Sequence, residues 1–342
     1  MLRAANIPFQ TFDMNTKPSL PEADYSTLIT PPRDFDLGKF DHVIEMFTCH
    51  APRAAGRNHS ILAFWEFGSG MESAFPDTVS GLPLVAMSDF NYEYFKKVVT
   101  HGTQVFKIRH PMPPNLMPSP SDVVRRKFAI PNDAFMVFFN FDYCSSYFRK
   151  NPEAILRAFA LAFSPTDNAV LALKTSNSKS SPAASARLSR LAEELRLNSG
   201  RLITIDNAIP QNDMAGLLNA CDVYVSLHRG EGFGIGMAQA MSLGKPVIAT
   251  AYSANTEFCR EGVSLPVPFK LVTPTPKELD MNVYSHVAEW AEPDIDFAAK
   301  AIRRCYDDPE FRHRIGKAAA EFIDSHFSVE NFKRDVEAFL DS

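Results

Sequence analysis

The stretch EGFGIGMAQAMSLGKPVIAT, residues 231–250, reads as a glycine-rich turn, a helix and a buried strand in succession. Ahead of it, residues 222–227 (DVYVSL) alternate and are rich in β-branched and aromatic side chains, so they read as a strand. Gly230, Gly232 and Gly234 let the chain turn sharply behind that strand. A helix over 235–243 follows, with Ile235, Ala238 and Met241 expected to face inward. Its free N–H groups and positive dipole end point at whatever lies over the turn, which suits a pyrophosphate. Gly244 ends the helix, and the apolar run 246–249 reads as the next parallel strand.

Two plainer readings of the same residues stand beside this one. GFGIG can be an ordinary strand-to-helix turn, or the opening of a dinucleotide fingerprint with Glu257 as the ribose acid. The third glycine of that fingerprint should stand where Met237 is.

Outward from this block the chain is α/β throughout. A proline-rich segment at 111–120 (PMPPNLMPSP) is unfit for helix or central strand and reads as an interdomain linker. Before it come strand candidates at 9–14, 42–48, 61–67, 84–88 and 105–108. After it come strands at 135–141, 169–174, 202–205 and 223–227, a helix at 152–163 capped by Asn151 with Pro152 in its first turn, and an amphipathic helix at 184–197. The polar run 176–181 reads as a mobile loop.

Composition bounds the function. A chain of 342 residues suggests two domains. A net charge of −5 without a basic tract argues against nucleic acid, and allows at most peripheral contact with a membrane. Five scattered cysteines without a C-x-x-C pair read as reduced thiols in a cytoplasmic protein. No apolar run reaches the ~18 residues of a membrane span.

The block 231–250 resembles the nucleotide-sugar site of the retaining glycosyltransferases of family 4 (glycosyl transferases group 1). Their pattern is an acid, seven positions, a second acid, then A-M-x-x-G-x-P-V-I-A-T. Glu231 fills the first acidic position, Ala240-Met241 and residues 244–250 fill the rest, and Gln239 stands where the second acid belongs. The resemblance implies the GT-B fold: two Rossmann-like domains facing each other across a cleft. The expected division is an acceptor-side domain at 1–115, a nucleotide-sugar-binding domain at 121–325, and a C-terminal segment at 326–342 whose helix crosses back to the first domain. The opening residues 1–9 resemble the end of the family's first helix running into its second strand, which implies an N-terminal domain lacking its first strand and the glycine-rich loop behind it.

The resemblance also places residues. Glu231 is implied near the transferred sugar's hydroxyls, Gln239 near the ribose, Ile209 beside the nucleobase through its backbone, and Gly232, Phe233, Gly234 and Ile235 around the donor. A departing diphosphate carries at least two negative charges, and a metal-independent enzyme must neutralise them with cations and N–H dipoles. Lys150 is the first choice, Arg149 the second and Lys174 the third. Glu66 stands in the region where many relatives place a histidine near the reacting sugar, and can orient the acceptor or stabilise charge at the anomeric carbon. His50, His228 and Arg229 are weaker candidates, His110 is expected to close a strand, and Ser253 or Asn255 to cap the following helix. The implied activity is transfer of a hexose or deoxyhexose from a nucleotide sugar to a glycan, lipid or other hydroxyl, without cofactor or metal. Asp294-Ile295-Asp296 has the Asp-x-Asp spacing of the other glycosyltransferase fold but lies away from every motif above. A non-catalytic glycosyltransferase-like binding or scaffold protein is the contrasting reading.

Overall fold

The computed structural model describes residues 43–46, 59–74, 82–112, 116–198, 200–279, 281 and 284–342. The expected strand at 9–14, the opening segment and His50 lie outside the described residues.

Two parallel sheets organise the chain. The first has the order β1-β2-β3-β4, with β1 Val43–Met46, β2 His59–Leu62, β3 Leu84–Ala86 and β4 Val105–Lys107. The second comprises β5 Phe135–Asp142, β6 Ala169–Ser176, β7 Leu202–Asp206, β8 Val223–Ser226, β9 Val247–Thr250 and β10 Leu265–Val267, in the order β10-β9-β8-β5-β6-β7. A two-stranded antiparallel ribbon, β11 Phe269–Val272 with β12 Trp290–Pro293, stands apart from both. β5 reads FMVFFNFD and is buried along nearly its whole length, because helices cover both faces of a parallel sheet. The helices Pro152–Ala162, Gln211–Ala220, Ile235–Ser242, Ile295–Asp307 and Pro309–His326 supply much of the cover, and their apolar faces join the strands in one core.

The strand order creates a crevice. The chain runs from β5 outward through β6 to β7, then returns to lay β8 on the other side of β5. In such a sheet the loops leaving β5 and β8 diverge to opposite faces, and ligands bind at the carboxyl ends of strands beside that reversal. Arg149 and Lys150 follow β5; Glu231 follows β8.

Several local expectations change in the structure. The strand expected at 61–67 is β2, shifted to 59–62, and residues 63–66 leave the sheet to approach the second lobe. Asn151 does stand ahead of the Pro152–Ala162 helix, but in the left-handed conformation (φ 51°) and without a capping bond; its side-chain amide donates to Leu227 O at 3.0 Å. The run 176–181 contains a 3-10 turn, Ser178–Ser180, where Ser178 donates to the Asp206 carboxylate. Asp294 caps the Ile295–Asp307 helix, accepting from Phe297 N, which accounts for the acid at that position.

The last helix, Val329–Leu340, packs Phe332, Val336 and Phe339 against Val85, Met87 and Ile108 of the first lobe. Arg109 meets Asp335 in a two-pronged pair, Nε and Nη2 each 2.7 Å from a carboxylate oxygen. Lys107 ties the lobes again, 2.5 Å from Glu257 and 2.6 Å from Asp89. The lobes are thus joined by an apolar seam and charged clasps of fixed geometry.

Candidate functional site

The crevice gathers four charged side chains. Lys150 Nζ lies 2.5 Å from Glu231 Oε2. The Arg149 guanidinium is 3.9 Å from Glu231 and 3.7 Å from Glu66, and it lies over the Tyr284 ring at 5.9 Å. Arg149 is almost wholly buried and donates to Gly230 O, Ser145 O and Ser145 Oγ. Its backbone role is equally fixed, since Arg149 O accepts from Arg229 N at 2.8 Å. Arg149 therefore acts from inside the wall, while Lys150 is the cation with a partner that a phosphate can replace.

Burial pushes the Lys150 ammonium below the ordinary lysine range, and neighbouring Arg149 adds to this against the pull of Glu231. Burial alone would raise the Glu231 carboxyl, but the charges of Lys150 and then Arg149 outweigh it and hold the group well below the usual carboxylate range. Glu231 is an anion at neutral pH, able to accept from hydroxyls.

The turn after Glu231 is shaped by close approach. Gly234 sits at φ 96° directly ahead of the Ile235–Ser242 helix, where a Cβ would meet Met237 Cε at 2.3 Å. Gly230 lies against the first lobe: a Cβ there would stand 2.6 Å from Phe67 Cε1 and 2.8 Å from Glu66 O. Gly230→Ala is expected to push the 64–68 segment away from the Glu231 turn and to cost about 1–3 kcal/mol of stability, as overpacking does. Denaturant unfolding of the variant checks this.

The first-lobe segment carrying Glu66 is held from both sides. Asn91 accepts from Trp65 N at 3.2 Å and donates to Gly232 O at 3.4 Å. Tyr252 Oη accepts from Gly68 N at 3.2 Å.

The other sequence candidates sort by their contacts. Ile235 is not inward-facing: it is half exposed at the start of the helix, while Met237, Ala238, Ala240 and Met241 fill the core. The Phe233 ring is buried, stacked on His110 at 4.4 Å and packed beside Phe258 and Phe327, so its side chain belongs to the core. Gly232 is buried beside Phe64 and Glu66, and Gln239 is half-buried on the helix. Lys174 does not end β6, which runs on to Ser176, and it sits in a separate polar group: its ammonium donates to Thr175 O and Ser176 Oγ, close to Asp206 and Asp142. Ile209 follows β7, packs partly into the core and lies on the same carboxyl edge of the sheet.

His228 is a satisfied core histidine. Nε2 faces two oxygens, Asn255 Oδ1 at 3.0 Å and Tyr252 O at 3.3 Å, so it carries the proton, and Nδ1 accepts from Ser226 Oγ. Burial lowers its basicity further. Arg229 pairs with Glu292 at 2.6 Å over the Trp290 ring and anchors β12. Neither Ser253 nor Asn255 makes a side-chain cap on the 3-10 turn Ala254–Glu257. Asn255 serves His228 and Thr250 O; Ser253 turns to Glu66 and Glu231. Sequence reasoning missed Tyr284 and Asn91, which reach the site only through tertiary contact, and Ser145, a local partner four residues before Arg149.

Two facing α/β lobes with a charged crevice at the switch point define the GT-B class, and solved structures agree. Sucrose-phosphate synthase from Thermosynechococcus elongatus is similar with a TM-score of 0.64 at 20% identity, over 83% of this chain and 67% of that one. Anabaena Alr3699/HepE in complex with UDP and glucose gives 0.64 at 18% identity, over 83% and 72%. Residues 143–281 match the model of the family described as glycosyl transferases group 1. A D-inositol 3-phosphate glycosyltransferase from Thermomonospora curvata is 30% identical over 172 residues, 49% of this chain. The chain spans only 38% of that relative's length. Among the described residues no helix is long and apolar enough to cross a membrane.

Proposed function

We propose that the chain is a retaining glycosyltransferase of the family 4 type, moving a hexose or deoxyhexose from a nucleoside diphosphate sugar to a hydroxyl of a glycan, lipid or other acceptor. The observation that carries this reading is the Lys150–Glu231 pair at the sheet's switch point, beside the N-terminal end of the Ile235–Ser242 helix. The pair offers a cation for the leaving diphosphate and an anion for the sugar's hydroxyls, while the helix offers unpaired N–H groups. UDP and glucose occupy the Anabaena structure of the same fold, which supports a nucleotide-sugar donor.

The reaction follows as a front-face displacement. The bond from the anomeric carbon to the diphosphate oxygen breaks while the acceptor oxygen bonds to the same face, and the acceptor's proton passes to the departing diphosphate. Lys150 and the helix N–H groups stabilise the charge that develops there, with no metal in this scheme. Arg149 helps Lys150 keep Glu231 ionised, and it pairs with the side chains of both Glu66 and Glu231. Gln239 is set to meet the ribose as a neutral acceptor, and Gly232, Gly234 and Ile235 to line the donor. Lys174 and Ile209, farther along the same sheet edge, fall on the nucleoside side. The reduced-thiol composition supports a cytoplasmic setting, and the acidic charge a protein at most peripheral to membranes.

Incubation with a panel of nucleotide sugars, following release of free diphosphate and the anomeric configuration of the product, tests this. Turnover with retained configuration is the expected result. Gln239 at the second acidic position favours one competing reading, a non-catalytic binding or scaffold protein; binding without turnover across the panel would select it.

A further inference from the structure

Ser253 stands in a conformation that few residues other than glycine adopt, φ 79° and ψ −160°. It is almost completely buried. Its hydroxyl lies within hydrogen-bonding reach of three backbone groups from two lobes: it accepts from Glu231 N at 3.0 Å and can donate to Glu231 O at 2.5 Å or Glu66 O at 2.9 Å. These two residues carry the carboxylates that converge on Arg149. A strained backbone held in place at such a junction points to a function for the side chain that the strain presents.

We propose that Ser253 is a positioning residue that clasps the Glu66 segment of the first lobe to the Glu231 turn of the second, so that both carboxylates are set before substrate arrives. The hydroxyl oxygen accepts from Glu231 N while its proton is in reach of Glu66 O, so the clasp links the lobes through a single atom at the crevice itself. The Arg109–Asp335 and Lys107–Glu257 pairs also join the lobes, but they do not touch the 64–68 segment. That segment is met by Asn91, which links Trp65 N to Gly232 O, and by Tyr252 and Ser253, adjacent in sequence, across the crevice. The role in transfer rests on the function proposed above; the clasp itself does not.

Ser253→Gly is the informative variant, because glycine adopts this conformation without strain while the hydroxymethyl group that carries the clasp is lost. Its melting temperature is expected to match or exceed that of the unmodified chain. Hydrogen exchange at the Glu231 amide and across residues 65–68 is expected to speed up about fivefold to tenfold, the scale of one lost hydrogen bond, with β5 and β6 unchanged. Turnover falls by a similar factor, while the Kd for a nucleoside diphosphate stays within about twofold. Ser253→Ala keeps the strain, so it should match Ser253→Gly in exchange and turnover but melt lower. Unchanged exchange at both places, or unmodified turnover in Ser253→Gly, would overturn the proposal. Should the unmodified chain turn over no donor, the transferase reading fails while the exchange experiment still decides the clasp.

Discussion

Replacing Arg149 with methionine is expected to lower the stability of the fold by about 3–5 kcal/mol, the scale for removing one partner from a buried ionic group. The guanidinium is 2% exposed, and its loss leaves Glu66 and Glu231 with Lys150 as the nearest remaining cation. Three further acceptors, Gly230 O, Ser145 O and Ser145 Oγ, also lose their donor inside the wall. Methionine restores much of the volume and none of these bonds, so the deficit reads the electrostatics and not a cavity. Both tryptophans, Trp65 and Trp290, are buried near this cluster, and urea unfolding followed by their fluorescence gives the value. A loss below about 1 kcal/mol would mean that the four charges do not act as a unit.

Glu231→Gln is expected to reduce turnover by about 100-fold while leaving the affinity for a free nucleoside diphosphate unchanged or tighter. The carboxylate serves the sugar in the proposed reaction, so its loss falls on the transition state; its removal also frees Lys150 for the phosphates. The same variant has a stability signature. Because the folded-state carboxyl is depressed from 4.5 to about 2, the unmodified protein's advantage is complete above about pH 4.5 and is lost as the pH falls through the folded value. The difference in unfolding free energy between the two proteins should therefore be flat near neutrality and shrink under acid. A difference that grows under acid would contradict the pairing.

How far the sequence could carry this account depended on whether the deciding contact was local. Residues 231–250 hold a strand exit, a glycine turn and a helix start within one stretch, so the crevice could be read from neighbouring residues alone. Lys150 was legible for the same reason, as a cation just ahead of a proline-started helix. Arg149 stands beside it in sequence and is nevertheless buried, because its partners Glu66, Ser145, Gly230 and Tyr284 come from four segments. Ile235 fits an apolar face of the helix, but as its first residue it lies beyond the part of that face which packs into the core. Asn151 and Ser253 are chemically good caps, yet both sit at positive φ with their side chains spent across the fold. Lys174 is a cation near the carboxyl edge of the same sheet, but it lies inside β6 and the strand order carries it to a different polar group. Backbone conformation and strand order are tertiary results that residue type does not encode one position at a time.

Titration calorimetry of the unmodified chain and of Lys150→Met against a panel of nucleoside diphosphates reads whether a nucleoside diphosphate binds between Lys150 and the start of the Ile235–Ser242 helix, as proposed. At least one member should bind the unmodified chain, and Lys150→Met should weaken that binding by about 1.5–3 kcal/mol, roughly 10- to 150-fold. Equal affinity in the two proteins, or no binding by the unmodified chain to any nucleoside diphosphate, would contradict it.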